Sequence, residues 1–529
     1  MNHGLTLGVF GVLVVAMLAI IVRAGRRTRT AGDFWAAGRG IGSPQNGLAV
    51  AGDFMSAGTF LGTVGLIFLT GFDGTLILLA ALFSFLPVLF LLAERLRNSG
   101  AYTLADVLSL RFRGEGVRGS AAVNTIVVSF FYLFAQLVGA GTLLQALSGL
   151  SFTTAVLITG LFMTVYVALG GMLGATWVMI VKALLLVVAA LVVSGAVLAH
   201  AGWDFGGLLH TATGRTPAGD AIRGPGLLLP HQGALDRTDI VSYGLVYMLG
   251  TAGLPHVLVR FFTVRDGHTA RRSLGWAIGV MGVFFGLVVV IGFGARALLN
   301  SAAAKEAAGA GGNLVAPILA RELAGGAGAA WGDISLAVIS GVAFLTILAV
   351  VSGLLLSASG AVAHDLWTGS LHRGSAKARR QEPAVARITA VAMGVLATLG
   401  TCAIGSGRNI TFLLGLAFLV AASANLPVIL LTLFWKRFTA RGAVVGLLGG
   451  LLVSIVVIAL SPTWLHDDAV IKLDYPAVIS IPAGFLIACL ATLLGRSRPD
   501  RAAWESMSVR TQLGSRAAAA DAPEPAART

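Results

Sequence analysis

Long apolar runs follow one another along almost the whole chain, and they constrain its fold more than any other feature of the sequence. A helix needs about 20 apolar residues to cross the ~30 Å hydrocarbon core of a bilayer. Hydrophobic residues make up 57% of the 529-residue chain and charged residues only 11%, which is too little polar surface for a set of soluble domains. We therefore predict an all-α polytopic membrane protein. Its thirteen spans are placed near residues 4–23, 44–69, 74–93, 120–146, 152–170, 174–200, 239–259, 274–297, 332–364, 386–404, 410–435, 440–461 and 475–495.

The basic residues predict the orientation of these spans. The net charge of +14 is spread between the apolar runs and forms no single block, which argues against nucleic acid as a partner. Because cytoplasmic loops of membrane proteins are enriched in Lys and Arg, we expect the N-terminus outside and the C-terminus inside. Most of the 37 Lys and Arg residues lie in alternate loops, at 23–43, 94–118, 260–273, 365–387, 436–441 and from 496 onward.

Cysteine and histidine usage argues against cofactor chemistry. Cys402 and Cys489 both lie in apolar runs and form no CxxC pair or disulfide framework. Among the histidines, only His256 and His364 fall near membrane depth, on different spans, so a bis-histidine haem is not expected. We predict no cofactor, no metal beyond a possible sodium site, and no enzyme activity. A channel is the alternative from another class, although the sequence has no repeated filter loop.

Two spans carry interruptions that a lipid-facing helix would not tolerate. One is "LAVAGDFMSAG" in the second span, and the other is "YMLGTAGLPHVLVRFF" in the seventh. A break at mid-depth survives only inside protein or beside a cavity, and paired breaks in matching positions mark the binding site of inverted-repeat transporters. The two spans are five apart and cross in opposite directions, as a five-plus-five inverted repeat requires. Close helix packing is the alternative explanation for the glycines.

Asp53 and Lys182 are charged residues within predicted spans. An unpaired carboxylate in lipid protonates, pairs or meets an ion, so Asp53 is a candidate for cation binding or coupling. Its alternative role is to cap the freed amides of the second half-helix. Lys182 could snorkel to the membrane surface, or face the bundle interior and carry a proton.

Six uncharged polar residues on other spans are further candidates. Each is more often a helix-packing hydrogen bond than a ligand. They are Tyr132 and Gln136, four residues apart on one helix face, Thr346 and Ser352, and Ser423 and Asn425.

Four long stretches resemble one transporter family over roughly residues 30–495. They are "QNGLAVAGDFMSAGTFLGTVGLIFLTGFDG", "LLAERLRNSGAYTLADVLSLR", "GTAGLPHVLVRFFTVRDGHTARRS" and "GLAFLVAASANLPVILLTLFWKRFTARGAVVG". Together they resemble the sodium:solute symporter family, and within it the bacterial cation/acetate symporter (acetate permease) branch. The resemblance implies a LeuT-like fold in a bacterial cytoplasmic membrane. Its parts would be a leading helix and cytoplasmic loop (1–43), two inverted repeats (44–200 and 239–435) joined by an extracytoplasmic loop (201–238), two trailing helices (436–496) and a disordered cytoplasmic tail (497–529).

The resemblance also implies a sodium site, from which this sequence departs. The family's backbone carbonyls fall at Ala51 and Phe54, and at Thr346 on the eighth repeat helix. Ala349 and Val350 stand where relatives hold hydroxyls, and the fifth repeat helix has Met179 and then Lys182 in place of the family's Asp and Gln. Hard cations need oxygen ligands, so protonation of Lys182 could replace sodium binding. Ser352, one turn away, could restore a sodium site, and both H⁺ and Na⁺ remain open as the coupling ion.

Acetate and related short monocarboxylates are the substrates that the resemblance implies. Half-helix N-termini with unpaired amides suit a carboxylate, so we expect binding at the breaks near residues 52–57 and 250–255. Other solutes of the family, such as pyruvate, propionate, proline or a sugar, are the alternative. The candidate substrate residues are Gly52, Met55, Ser56, Ala57, Tyr132, Gln136, Gly250, Thr251, Gly253 and Asn425.

Overall fold

The chain folds into a bundle of apolar helices. The structure is a computed structural model that describes residues 3–25, 41–99, 103–112, 114–168, 172–214, 234–372 and 375–514. The helices are α1 His3–Gly25, α2 Ser43–Phe54, α3 Gly58–Thr70, α4 Phe72–Ser99, α5 Leu104–Ser109, α6 Glu115–Ser148, α7 Phe152–Ala168, α8 Met172–His200, α9 Phe205–Thr213, α10 Ala234–Gly250, α11 Pro255–Thr263, α12 Gly267–Leu298, α13 Ser301–Gly309, α14 Val315–Leu323, α15 Ala330–Leu371, α16 Ala376–Ile404, α17 Ile410–Phe434, α18 Ala440–Ala459, α19 Pro462–Leu465, α20 Ala477–Leu493 and α21 Arg501–Leu513.

Many of these helices are long and apolar enough to cross a membrane, which confirms the predicted class of all-α membrane protein. Within the described residues there are eight such helices, namely α4, α6, α8, α12, α15, α16, α17 and α18. Two bent helix pairs bring the number to ten, and α1, α7 and α20 contain shorter apolar segments. The count of thirteen spans, the inverted repeat and the orientation of the termini stay predictions.

Both predicted interruptions are confirmed. Helices α2 and α3 meet at an angle of 58°, with the break between Phe54 and Gly58. The second break follows α10, where one 3₁₀ turn (Thr251–Gly253) leads to Leu254 and Pro255, and the bend is 46°. Proline lacks the amide that would continue the helix and is well placed at the first position of a new one, so Pro255 starts α11.

The broken helices lie among the most buried parts of the bundle. Helix α2 packs against α8 and α12, while α6 packs against α15 and α17. The approach to α8 is close, because a Cβ at Gly52 would lie 2.4 Å from the carbonyl oxygen of Met179. Glycine at this position therefore serves helix packing, which was the alternative explanation given above.

The halves α2 and α11 are joined to each other on the side of the breaks that we predict to be cytoplasmic. The Thr263 hydroxyl donates a hydrogen bond to Asn46 Oδ1 at 3.1 Å, and Ile41 pairs with Val264 through a parallel β-bridge. Arg97, near the end of α4, holds the same segment by donating to the carbonyls of Val264 and Arg265. These bonds tie the two half-helices and α4 together.

Two predicted irregular segments contain helices. The predicted loop 201–238 holds α9, which Asp204 caps through the Gly207 amide at 2.9 Å, whereas residues 215–233 lie outside the described part. The predicted disorder of the tail 497–529 is wrong for α21, which begins at an Asp500 cap and buries Met507. Asn98 of α4 donates to the Thr511 carbonyl at 3.0 Å, so the tail helix is held by capping and docking. Residues 515–529, like 26–40 of the leading segment, lie outside the described part.

Candidate functional site

A buried ion pair joins the two broken helices. Asp53, at the end of α2, receives hydrogen bonds from Arg260 of α11, from Nε to Oδ2 and from Nη2 to Oδ1 at 3.2 Å. The side chains are 4% and 3% exposed. A charge at this depth requires a partner, and the bidentate guanidinium supplies one. The carboxylate of Asp53 accepts hydrogen bonds from Arg260 of another helix, so it does not serve as the helix cap that was its alternative role.

Arg260 was missed at the sequence level because it was assigned to the cytoplasmic loop 260–273. The 3₁₀ turn Val259–Thr263 extends the seventh span past that boundary, and Arg260 is only 2% exposed. The signal that could have revealed it is its place in the apolar stretch "PHVLVRFFTV". A basic residue there needs a partner as much as Lys182 does.

Lys182 is fully buried in α8, so snorkelling to the surface is not its arrangement. Within the described part of the chain, its ammonium nitrogen has no hydrogen-bond partner. It lies close enough to Asp53 and Arg260 to interact electrostatically with both. Helix α15 packs against the Asp53 and Arg260 pair: a Cβ at Gly353 of α15 would lie 3.9 Å from both Asp53 Oδ1 and Arg260 Nη2. Lys182 and the ion pair therefore form one buried charge cluster.

Side-chain hydroxyls satisfy the freed backbone groups of the first break. The Ser56 amide donates to Thr59 Oγ1 at 2.9 Å, and the Thr59 hydroxyl lies 3.1 Å from the Phe54 carbonyl, to which it donates. The Gly58 amide donates to Ser56 Oγ at 3.2 Å. The expectation of unpaired amides is therefore wrong for Ser56 and Gly58. Thr59 was not among the predicted site residues, although a threonine just after a break is a typical cap.

The positions that the resemblance assigned to sodium are engaged in local hydrogen bonds. The Ala51 carbonyl accepts from the Met55 amide at 2.7 Å, and Phe54 is bonded as described above. On α15, the Thr346 hydroxyl donates to the Ala343 carbonyl at 2.7 Å, and the Ser352 hydroxyl to the Ala349 carbonyl at 2.6 Å. These bonds are ordinary helix geometry, so the predicted sodium site stays a prediction.

The second break is closed by tight packing and one amide. Cβ atoms at Gly250 and Gly253 would lie 2.7 Å from the Phe418 carbonyl oxygen and 2.3 Å from that of Ala421. Asn425 Nδ2 donates to the Gly253 carbonyl at 2.9 Å, while its Oδ1 has no partner within the described ranges. Thr251 accepts a hydrogen bond from Ser84 at 2.8 Å. These residues hold the break in shape, and the Asn425 oxygen is the group left for a ligand.

Two small cavities lie on opposite sides of this region. The first, of about 10 Å³, is bounded by hydroxyls and rings from the first break, α6, α10 and α17, with Ser56, Thr59, Thr63, Tyr132, Tyr247, Thr411 and Phe418 among its lining residues. The second, of about 40 Å³, lies toward the predicted cytoplasmic side, with Thr103, Thr125, His256, Arg260, Gly353, Ser357 and Asp365 among its lining residues. Tyr132 and His256 meet between them in an edge-to-face contact with ring centroids 4.9 Å apart.

Some of the predicted substrate residues line a cavity, and others do not. Ser56 and Tyr132 line the smaller cavity, whereas Met55 and Ala57 are fully buried and line neither cavity. Gln136 is also fully buried, and both its amide atoms lack a partner among the residues that the structure places. Ser423 donates to Ser480 at 2.8 Å, which is a helix-packing hydrogen bond.

Sequence comparison places this architecture in a family. Residues 34–450 match the profile of the "Sodium:solute symporter family". The chain belongs to the sodium:solute symporter family. As a member it is a membrane transporter and not an enzyme. It is similar to the "Uncharacterized symporter YwcA" of Bacillus subtilis (strain 168), with 43% identity over 514 residues, covering 96% of this chain and 97% of that protein.

Two solved structures share the fold of this symporter. One is the substrate-bound, outward-open state of a Na⁺-coupled sialic acid symporter, with a TM-score of 0.71 and 16% identity, covering 94% of this chain and 99% of that one. The other is Mhp1, a nucleobase-cation-symport-1 family transporter, with a TM-score of 0.56 and 13% identity, covering 91% and 100% of the two chains. At these identities the likeness concerns the fold alone, and the substrate has to be argued from the site.

Proposed function

We propose that this symporter carries acetate and related short monocarboxylates into the cell together with a proton. The observation that carries the proposal is the charge balance of the buried cluster. One carboxylate, Asp53, faces two basic side chains, Arg260 and Lys182, and the imidazole of His256 lies within electrostatic range of all three. A buried charge without a partner is strongly unfavourable. Among the residues that the structure describes, protonated Lys182 therefore calls for a further anion beside Asp53.

A small carboxylate would meet that need. When Lys182 is neutral, Asp53 and Arg260 balance each other; when it is protonated, an acetate ion restores the balance. Proton and anion then favour each other's binding, which is the reciprocal coupling that symport requires. The cycle moves no net charge when one proton accompanies one acetate.

The hydrogen bonds around Asp53 favour a proton over sodium as the coupling ion. The carboxylate is already bonded to a guanidinium, and the residues at the two family hydroxyl positions, Ala349 and Val350, offer no side-chain oxygen for a hard cation. The hydroxyl of Ser352, which could replace them, donates within its own helix. Of the two basic side chains, Lys182 is the one suited to gaining and losing a proton, because a buried lysine gives up its proton far more readily than an arginine.

Labelled acetate uptake into proteoliposomes tests the proposal. We expect accumulation under an inward proton gradient in sodium-free buffer, with protein-free liposomes as the control for passive leak of acetic acid. Accumulation that requires an inward sodium gradient would refute proton coupling but keep the substrate. Accumulation under neither gradient would refute acetate, and competition by pyruvate, propionate, proline or a sugar would then identify the solute. Counterflow by internal unlabelled acetate separates a carrier from a channel.

A further inference from the structure

The buried imidazole of His256 lines the 40 Å³ cavity. His256 is 6% exposed, and in the described part of the molecule neither of its ring nitrogens has a hydrogen-bond partner. Buried polar groups are nearly always paired, so one without a partner calls for a ligand or a water. Because His256 lines the cavity, its missing partner would sit there.

The cavity can hold more than a single water. One water needs about 10–15 Å³ of such space, so 40 Å³ corresponds to roughly three non-hydrogen atoms or slightly more. Acetate has four. The smaller cavity beyond Tyr132, of about 10 Å³, has room for about one water only. In this conformation, therefore, the space for a small solute lies on the His256 side.

The walls of the cavity suit a carboxylate. Arg260 lines it, and the charge of Lys182 acts on His256 as well. Thr125 and Ser357 line the same cavity; the Thr125 hydroxyl donates to the Ala121 carbonyl at 3.0 Å, which leaves Ser357 as the hydroxyl suited to a carboxylate. Asp365 lines the cavity as well; it accepts a hydrogen bond from Thr103 at 3.0 Å and lies 3.6 Å from Arg118, which also pairs with Asp106 at 2.8 Å.

Tyr132 and His256 separate the two cavities. Tyr132 lines the smaller cavity and His256 the larger, and their rings are in direct contact. We expect a solute that passes from one cavity to the other to displace this pair. The larger cavity lies on the predicted cytoplasmic side of the two rings.

We propose that this cavity is a second, release-side binding site for the carboxylate of the substrate, with the His256 ring as its hydrogen-bond donor. The inference rests on the proposed transport of small monocarboxylates. The cavity adjoins the second break, because Pro255 and His256 line it, and the inference predicts a different effect on the two faces of the membrane. Loss of the donor weakens binding from the cytoplasmic face and leaves binding from the outer face unchanged.

The test compares His256→Leu, which removes both ring nitrogens, with His256→Gln, which keeps an N–H donor. Acetate transport is measured in right-side-out and inverted vesicles, and KM is determined from each face. We expect His256→Leu to raise the KM from the cytoplasmic face by roughly 10- to 100-fold, the usual range for a lost hydrogen bond to a charged group. His256→Gln is expected to raise it by less than about 3-fold. The control is Ser340→Ala, which removes a buried hydroxyl that lines neither cavity.

If the wild-type protein carries acetate, two results would overturn the release-side site alone. One is the same cytoplasmic-face KM in His256→Leu and His256→Gln, and the other is an equal rise of the KM on both faces. A wild-type protein that carries no small monocarboxylate would overturn the proposed function and this inference together. If His256→Leu does not reach the membrane, Ser357→Ala removes a hydroxyl from the same cavity wall. It is expected to raise the KM from the cytoplasmic face alone by roughly 2- to 10-fold, and an unchanged KM would contradict the site.

Discussion

Removal of the Asp53 carboxylate would take away the anion that pairs with the buried Arg260 guanidinium. Both side chains are less than 5% exposed, so bulk water has little access to the charge that remains. Breaking a buried ion pair by removing one partner destabilises a protein by about 3–5 kcal/mol, mainly through the uncompensated charge that remains. We expect Asp53→Ala and Arg260→Ala each to lower the free energy of unfolding by about that amount.

The double variant is the informative one. Asp53→Ala combined with Arg260→Ala removes both charges, so its loss of stability should be smaller than the sum of the two single losses by about 2 kcal/mol or more. Unfolding in mixed detergent micelles measures these free energies. The matched control is the exposed partner of another ion pair: Glu306, with a side chain 50% exposed, contacts Arg321 at 2.8 Å. Glu306→Ala should cost less than about 1 kcal/mol.

Transport provides the second measurement on the same variants. We expect Asp53→Ala to abolish acetate uptake at a membrane abundance sufficient for the assay, because the charge cluster is then unbalanced. Additive losses of stability in the double variant would refute the pairing of the two residues. Normal uptake by Asp53→Ala would remove Asp53 from the mechanism.

Three further variants test other parts of the site. Lys182→Met should abolish proton-driven accumulation while acetate counterflow continues, and accumulation by this variant would assign the proton to another group. Thr59→Val removes the hydroxyl that caps the first break and should lower the free energy of unfolding by about 1–3 kcal/mol; an unchanged value in micelles would show that water or other groups replace it. Gly253→Ala should reduce uptake at least about tenfold, because its Cβ would lie 2.3 Å from a neighbouring carbonyl oxygen. The control is Gly275→Ala, whose Cβ would have no atom within 4 Å and which should transport normally. Equal uptake by the two variants would contradict the packing argument.

The breaks were predictable because their cause is local. Gly250, Gly253 and Pro255 lie in one short stretch, and the physics of a helix in lipid converts that stretch into an interruption. The charges of Asp53 and Lys182 stood out for the same reason. A charged residue within a long apolar stretch of sequence is recognisable without any knowledge of its neighbours in the fold.

The pairing of Asp53 could not be predicted in this way. Arg260 lies 207 residues away in the sequence, and its contact depends on how two broken helices cross, which no local pattern records. The span boundary drawn just before Arg260 then removed it from consideration. His256 was weighed only as a haem ligand, since its lack of a partner is visible only once its neighbours are placed. The tail helix was missed because the simple composition after residue 514 obscured the Asp500 cap before it.

The bonds between α2 and α11 have a mechanical consequence. The two half-helices are fastened at successive levels, by the Ile41 and Val264 bridge, by Thr263 and Asn46, and by the Asp53 and Arg260 pair. We expect half-helices joined in this way to move together, with each break as a hinge. A change of charge at Asp53 would then change how firmly α2 and α11 are held together as well as the affinity of the site. The hydrogen bonds between Asp53 and Arg260 serve both binding and movement.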